Sequence, residues 1–205
     1  SNDRKKVNTL IIIDVHARDV IDRFVRDSIL DESEFEWESQ LRFYWEGAQT
    51  ENCVVRQVEN KMYFGYEYIG NTGRLAITPL IDRTFLAMTT AVSLHHGSML
   101  LGPAGTGKTE TVQELGKMLG RFTVFFNCSH GFDTKALVSV ITGISKTGAW
   151  GCFDDFNRSK ASVLSVLAHV LAHVFHRLAN RPPDRDPRQA PTCGFFVTIN
   201  PGYLG

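Results

Sequence analysis

The feature that most constrains this 205-residue chain is the stretch GPAGTGKTE at residues 102–110. It matches the pattern G-x-x-x-x-G-K-[ST], whose glycines let the backbone curl around a phosphate group with the N–H groups turned inward. An apolar strand at 97–101 is predicted before it and a helix after it. The stretch therefore predicts a phosphate-binding loop, with Lys108 on the β- and γ-phosphates and Thr109 on Mg²⁺.

The order of apolar segments after residue 75 predicts the fold around this loop. Strands are expected at 97–101, 122–127, 148–156 and, with a closing turn, 193–203; helices are expected at 79–95, 109–120, 133–147 and 161–179. Strands that alternate with helices are typical of an α/β fold with a parallel sheet and helices on both faces. The segment FTVFFN lacks alternating polarity, which indicates a strand buried on both faces.

The N-terminal third has a different pattern. Apolar residues at helical spacing predict a helix over 18–30, and an acidic start followed by aromatic residues predicts a second helix over 31–46. Residues 53–69 are rich in β-branched and aromatic side chains and predict two strands before a turn at 70–74. The predicted organisation is a helical segment 1–50, a β-hairpin connection 51–74 and a nucleotide-binding domain 75–205 that is incomplete at its C-terminus.

Two acidic residues end the strand WGCFDDF. A phosphate loop needs a neighbouring acid for the Mg²⁺ shell and a base that orients water, and we assign Asp154 to the metal and Asp155 to the water. Asn200 ends the last strand, where ligands bind in open α/β sheets, and is predicted to position the water. The alternative is local: two acids that open a turn, and an asparagine that starts a turn before a proline.

Composition excludes several classes of partner. Lys plus Arg and Asp plus Glu both number 22, so a neutral chain gives no general attraction to nucleic acid or to an anionic membrane. No uninterrupted apolar run approaches the roughly 20 residues of a membrane span. The chain begins with Ser, which suggests a fragment or a processed product.

Cysteine and histidine give weaker signals. The four cysteines are widely spaced and predict reduced thiols: Cys53, Cys128, Cys152 and Cys193. Three histidines share one predicted helical face: His169, His173 and His176. Zinc can use such spacing, but no glutamate base or neighbouring cysteine accompanies them, so an exposed or core-flanking stripe is the preferred interpretation.

Five segments together resemble the dynein heavy chain at its first AAA+ module. They are YEYIGNTGRLAITPLIDR, GPAGTGKTET, FFNCS, GAWGCFDDFNR and VTINPGY, and the upstream IDVHARDVIDRF and EFEWESQLRFYWE resemble the end of the dynein linker. The resemblance covers nearly the whole chain. It implies a P-loop NTPase of AAA+ type in which ATP hydrolysis within a six-module ring drives movement on microtubules.

The resemblance also implies site residues, partners and a location. Pro79 and Leu80 fall at the family's adenine-side loop. The full set implied for ATP is Pro79, Leu80, Gly102, Pro103, Ala104, Gly105, Thr106, Gly107, Lys108, Thr109 and Glu110, with Lys108, Asp155 and Asn200 catalytic and Thr109 and Asp154 on Mg²⁺. Implied partners are microtubules, the other AAA+ modules of the heavy chain, and dynein intermediate and light chains. FFNCS is closer to axonemal forms, which favours the cytoskeleton of a cilium or flagellum over the cytoplasm.

Departures from the family pattern leave other functions open. The second acid of the pair is Glu in the family and Asp155 here, shorter by one methylene, about 1.5 Å of reach. The segment 180–193 is short, and a fifth strand beside the loop strand is not seen, which would leave that strand at a sheet edge. The alternatives to a motor ATPase are therefore a nucleotide switch with weak or no hydrolysis and a truncated module that binds nucleotide poorly. A DNA translocase is disfavoured by the neutral charge.

Overall fold

The protein is described from a computed structural model that covers residues 2–47, 52–70, 72–128, 133–180 and 193–203. The helices are α1 Asn2–Arg26, α2 Phe35–Glu38, α3 Pro79–Ser93, α4 Lys108–Met118, α5 Thr134–Thr147 and α6 Ala161–Ala179. The strands are β1 Arg42–Glu46, β2 Asn52–Gln57, β3 Asn60–Tyr63, β4 Ser98–Leu101, β5 Thr123–Asn127, β6 Trp150–Asp154 and β7 Gly194–Ile199. Short 3₁₀ turns follow β6 and β7, at Phe156–Arg158 and Pro201–Tyr203.

The C-terminal part contains a four-stranded parallel sheet with the order β4-β7-β6-β5. Every strand predicted between residues 97 and 199 is present, so the predicted α/β class is confirmed. The strand that leads into the glycine loop, β4, lies at one edge of the described sheet, and its Met99 and Leu101 side chains are 62% exposed. The carboxyl ends of all four strands lie along one margin, which is where α/β sheets carry their ligands.

Helices cover both faces of this sheet, and the side chains of neighbouring strand residues sort into two cores. Trp150, Cys152 and Phe196 pack with α3 and α4, while Phe153 and Phe195 pack with α5 and α6. This alternation follows from the two-residue period of a strand. The strand β6 is buried along both faces up to Asp154. The prediction that FTVFFN forms a strand buried on both faces is wrong, because β5 lies at an edge of the described sheet and its Phe125 is 37% exposed.

The N-terminal part contains an antiparallel sheet with the order β1-β2-β3. The helix predicted over 31–46 is wrong: only Phe35–Glu38 is helical, and Arg42–Glu46 forms β1 beside β2. Aromatic residues favour a strand when a partner strand is present, and that tertiary pairing outweighs the helical spacing. The helix predicted over 18–30 extends instead from Asn2 to Arg26, and the division at residues 50 and 74 stays a prediction.

Backbone hydrogen bonds join the antiparallel sheet to the end of α4. After β3, the Gly65 N–H donates to the Leu119 carbonyl and the Glu67 N–H to the Gly120 carbonyl, both at 2.9 Å. A β-carbon on Gly65 would lie 2.3 Å from the Gly120 oxygen, so the close approach requires a residue without a side chain. We refer to these two bonds as the α4 joint.

Arg74 and Glu114 make a second connection to α4. The Glu114 carboxylate is 2% exposed and forms an ion pair with the Arg74 guanidinium, with Lys117 at 3.9 Å. A buried carboxylate without a partner is strongly unfavourable, so this pair ties the segment before α3 to the helix that follows the glycine loop.

Helix α6 meets the length and composition criteria for a membrane span, with a mean hydropathy of 1.4, although serine and histidine residues interrupt its apolar sequence. One side of the helix nevertheless packs into the core through Val163, Leu167, Val174 and Leu178. Core helices pass the same test, so a single such helix is weak evidence for a membrane.

Candidate functional site

The glycine loop lies between β4 and α4, as predicted. Gly105 and Gly107 have φ angles of 76° and 79°, a left-handed conformation that other residues adopt only with strain. Gly107 is also the residue that precedes the first turn of α4. The loop thus leads directly into the amino end of α4, where the positive end of the helix dipole stabilises an anion.

Lys108 begins α4 and reaches back across the loop. Its ammonium group donates to the carbonyls of Gly102 and Pro103, at 2.9 and 2.7 Å. Thr106 donates to the same Pro103 carbonyl at 2.9 Å, which braces the loop from the inside. These contacts hold a compact loop and place a half-buried cation against it.

The end of β6 carries the acid that we assigned to the metal. Asp154 Oδ1 accepts a hydrogen bond from the Thr109 hydroxyl at 2.6 Å and another from the Thr198 hydroxyl. Thr109 comes from the first turn of α4 and Thr198 from β7, so three separate elements meet at one carboxylate oxygen. This contact brings together the two residues that were predicted to hold Mg²⁺.

Asp155 follows directly and has a left-handed backbone, with φ of 50° and ψ of 45°. Its N–H donates to the Thr198 hydroxyl at 3.1 Å, and its carboxylate lies 3.5 Å from the Arg158 guanidinium. A left-handed conformation in an aspartate is tolerated when the surroundings hold it.

Asn200 directly follows β7 and is 7% exposed. Its side-chain oxygen accepts from the Gly202 N–H at 3.0 Å, and its backbone carbonyl accepts from the Asn157 amide at 2.9 Å. The turn expected at this asparagine is therefore present. Its side chain also lines the same polar cavity as the acids, so the local and the functional interpretation are compatible at this position.

A polar cavity of about 360 Å³ joins these groups. It is lined by Ala104, Gly105, Gly107, Lys108, Thr109, Glu110, Asp154, Asp155 and Asn200. Gly102, Pro103 and Thr106 belong to the loop but do not line this cavity. All the catalytic and metal residues predicted from the sequence thus surround one space.

Pro79 and Leu80, implied by resemblance for the adenine side, do not reach that cavity. Leu80 is 67% exposed, and Pro79 lines a separate cleft of about 480 Å³ together with Arg23 and Phe35. Their assignment to the nucleotide stays a prediction.

The donor set fits a hard divalent cation. A threonine hydroxyl and a carboxylate in direct contact, facing a polar cavity beside the amino end of a helix, are oxygen ligands of the kind that Mg²⁺ prefers with phosphate oxygens. His169 and His173, by contrast, are exposed on α6 with ring centroids 5.9 Å apart. Within the described ranges, no group of three or more His, Cys, Asp or Glu residues is arranged to hold a metal ion.

Buried thiols lie near the acids. Burial, with a smaller contribution from the charge of Asp154, raises the pKa of Cys152 to about 12 and that of Cys128 to about 11. The Cys193 pKa rises to about 11, also by burial. These thiols stay protonated at neutral pH, and all four cysteines are free, so the predicted reduced state agrees with the structure.

Among the described residues, three side chains that contact the predicted site residues were not predicted: Thr198, Asn157 and Arg158. Thr198 sits inside the apolar strand CGFFVTIN, where a threonine is an ordinary strand former. The only signal in the sequence was its place two residues before Asn200, which puts it on the same strand and near the same end. Asn157 follows the acids directly, and its proximity to them was the available signal.

A glycine loop between a parallel strand and a helix, with a lysine, a threonine–aspartate contact and a second acid around one cavity, defines a P-loop nucleotide-binding protein. Comparison with protein families then identifies the branch. Residues 64–205 match the family described as the hydrolytic ATP binding site of dynein motor region. The chain belongs to this family, and the predicted class, an ATP-binding AAA+ module of a dynein heavy chain, is confirmed.

Whole-chain relatives agree with the family. The chain is 46% identical to dynein axonemal heavy chain 2 of Homo sapiens over 207 residues, and 47% identical to the dynein-1-beta heavy chain, flagellar inner arm I1 complex, of Chlamydomonas reinhardtii over 208 residues. These alignments cover 98% and 99% of this chain and 5% of each relative. The chain therefore spans about one twentieth of the length of these relatives.

Among solved structures, the chain is similar to the Thermotoga maritima RuvB Holliday junction branch migration motor, with a TM-score of 0.42 and 16% identity. The match covers 63% of this chain and 41% of that one. This distant similarity adds nothing to what the strand order and the family already establish.

Proposed function

We propose that this chain binds Mg·ATP in the cavity at the end of β6 and hydrolyses it, as the first AAA+ module of a dynein-type microtubule motor in a cilium or flagellum. The observation that carries this proposal is the convergence on one cavity of the glycine loop, Lys108, the Thr109–Asp154 contact, Asp155 and Asn200. Residues from α4, β6 and β7 meet there although more than 90 positions separate the first from the last.

Each residue has a role that its chemistry suits. The inward N–H groups of the loop and the amino end of α4 bind phosphate oxygens, and Lys108 adds a positive charge to the β- and γ-phosphates. Thr109 and Asp154 would hold Mg²⁺, which supplies charge neutralisation on the phosphates when it is bound. Asp155 accepts a proton from the attacking water, and Asn200 orients that water.

Asp155 is the weakest catalytic element of this site. Its side chain is one methylene shorter than the Glu of the family pattern, and a displacement of about 1 Å can cost on the order of 10² in rate. Its contact with Arg158 also draws the carboxylate toward the following 3₁₀ turn. These two observations favour, as a second candidate, a nucleotide switch that binds ATP and hydrolyses it slowly, whereas the family description favours hydrolysis.

Partners and location follow from the relatives. Similarity to heavy chains named as axonemal and as a flagellar inner arm supports an axonemal location, with microtubules and the other modules of the heavy chain as partners. Intermediate and light chains would bind elsewhere on such a heavy chain. The neutral charge of this chain supports no role for nucleic acid.

Calorimetry with Mg·ATP tests the proposal directly. We expect the Lys108→Ala variant to lose affinity by tenfold to a hundredfold or more, because charge-assisted hydrogen bonds to phosphate contribute about 1.5–3 kcal/mol each. Lys146→Ala is a matched control, since Lys146 is an exposed lysine in the last turn of α5.

Equal Mg·ATP affinity of Lys108→Ala and the unmodified chain would refute the assignment of the loop. Binding that is lost in Lys108→Ala and kept in Lys146→Ala would support it. A turnover assay on the same samples then separates an ATPase from a slow switch.

A further inference from the structure

Thr198 is a fully buried polar residue beside the cavity. It is 0% exposed and lies next to the end of β7, where it is the register partner of Leu100 in β4. A buried hydroxyl is unfavourable unless its donor and acceptor capacity is used. The Thr198 hydroxyl uses its donor and its acceptor capacity in hydrogen bonds to the two acids, Asp154 and Asp155.

The hydroxyl makes one bond to each acid. It donates to Asp154 Oδ1 and accepts from the Asp155 N–H at 3.1 Å. Thr109 donates to the same Asp154 oxygen, and among the residues that the structure describes none donates a hydrogen bond to the second oxygen, Oδ2. The bond to the Asp155 N–H holds a residue whose φ of 50° is otherwise strained.

We propose that Thr198 is a positioning residue that sets the orientation of both acids at once. It fixes the Asp154 carboxylate so that Oδ2 is free for a cation, and it fixes the backbone turn that directs Asp155 toward the water. The inference rests on the proposed function for its consequence in catalysis, while its structural part, the shared hydroxyl, stands by itself.

Two substitutions separate the hydroxyl from the shape of the side chain. Thr198→Val keeps the branched outline but leaves the Asp155 N–H without an acceptor and the Asp154 oxygen with one donor fewer. Thr198→Ser keeps the hydroxyl and removes a methyl group. Thr89→Val is a control for burial, because Thr89 is also 0% exposed and hydrogen-bonded, but to Gln57 and within α3.

The first measurement is amide hydrogen exchange at Asp155, which needs no nucleotide. We expect Thr198→Val to speed exchange of the Asp155 N–H by about tenfold, and Thr198→Ser and Thr89→Val to leave it within about twofold. Unchanged exchange at Asp155 in Thr198→Val would overturn the proposal whatever the chain does with ATP.

The second measurement is steady-state ATP turnover with titrated Mg²⁺. Thr198→Val should lower kcat by tenfold to a hundredfold and shift the half-saturating Mg²⁺ concentration upward, while nucleotide affinity without Mg²⁺ stays the same. Thr198→Ser should restore both. A Thr198→Val variant that melts earlier, as we also expect of Thr89→Val, yet keeps kcat and the Mg²⁺ dependence would show that Thr198 has only a structural role.

Failure of the proposed function gives a different result. If Lys108→Ala binds Mg·ATP as well as the unmodified chain, the assignment of the loop fails. The exchange rate at Asp155 then still decides whether Thr198 positions the turn.

Discussion

The two sheets of this molecule differ in how they are covered. In the parallel sheet, β6 is buried along both faces up to Asp154, and helices pack on each side. In the antiparallel sheet, the middle residues of β1 are exposed, with Trp45 at 68%. A parallel strand that is buried on both faces can carry polar groups only at its ends. The polar residues of β6 and β7 therefore lie together at one margin of the sheet.

This difference explains where a site can form. Four strand ends and one helix start meet at a single margin of the parallel sheet, and the rigid core beneath them fixes the polar groups in position. The antiparallel sheet offers aromatic faces and charged pairs, such as Arg56 with Glu46 at 2.6 Å, but no convergence of that kind.

The largest effect is expected from a substitution in the core of the parallel sheet. Phe153→Ala should lower the free energy of unfolding by about 3–5 kcal/mol, because Phe153 is 0% exposed and its removal leaves a cavity. Trp45→Ala on β1 should cost no more than about 1 kcal/mol. Chemical denaturation of both variants measures the contrast, and equal losses would show that the two sheets contribute to one core in the same way.

A smaller effect is expected at the margin of the parallel sheet where Asp155 lies. Asp155→Glu should raise ATP turnover by up to about 10², equivalent to about 2.7 kcal/mol of barrier, if side-chain reach limits catalysis. Mg·ATP affinity should stay the same, since the loop and Asp154 are unaltered. Single-turnover kinetics measures this, with Asp155→Asn as the inactive control; an unchanged rate in Asp155→Glu would rule out reach as the defect.

The smallest effect concerns thiol chemistry. At pH 8 the folded chain should react with a thiol reagent mainly at the partly exposed Cys53, and the unfolded chain at all four cysteines. The raised folded-state pKa values of the buried thiols, about 11–12, lie above the unfolded value of about 8.5, so stability is lost as pH rises from about 8.5 through that range. Mass spectrometry of the labelled sites measures which cysteines react, and fast labelling of Cys152 in the folded chain would contradict the expected pattern.

The parts of the fold and of the candidate site that depend on local chemistry could be predicted from the sequence. The glycine loop needs a fixed spacing of residues, and Asp154, Asp155 and Asn200 follow buried strands whose apolar runs are easy to recognise. Once the parallel order is assumed, these strand ends must lie together. The contact between Thr109 and Asp154 follows from that geometry, although 45 positions separate them.

The parts whose conformation depends on a partner segment could not be predicted in this way. RFYWE can satisfy a helix or a strand, and pairing with β2 selects the strand. Thr198 is the same kind of case, since a threonine in a strand is unremarkable until the residues on the neighbouring strand are known. Pro79 and Leu80 depend on how α3 is placed against the loop, which apolar spacing does not specify.

The α4 joint has a mechanical consequence. Helix α4 has 11 residues and is about 16 Å long, stiff over that distance, with the phosphate loop at one end and the joint at the other. Since the joint consists of backbone hydrogen bonds around a glycine, it contains no flexible side chain that could absorb a displacement. We therefore expect α4 to behave as a rigid element, so that a tilt imposed at Lys108 would be transmitted to β3 as a tilt of the antiparallel sheet.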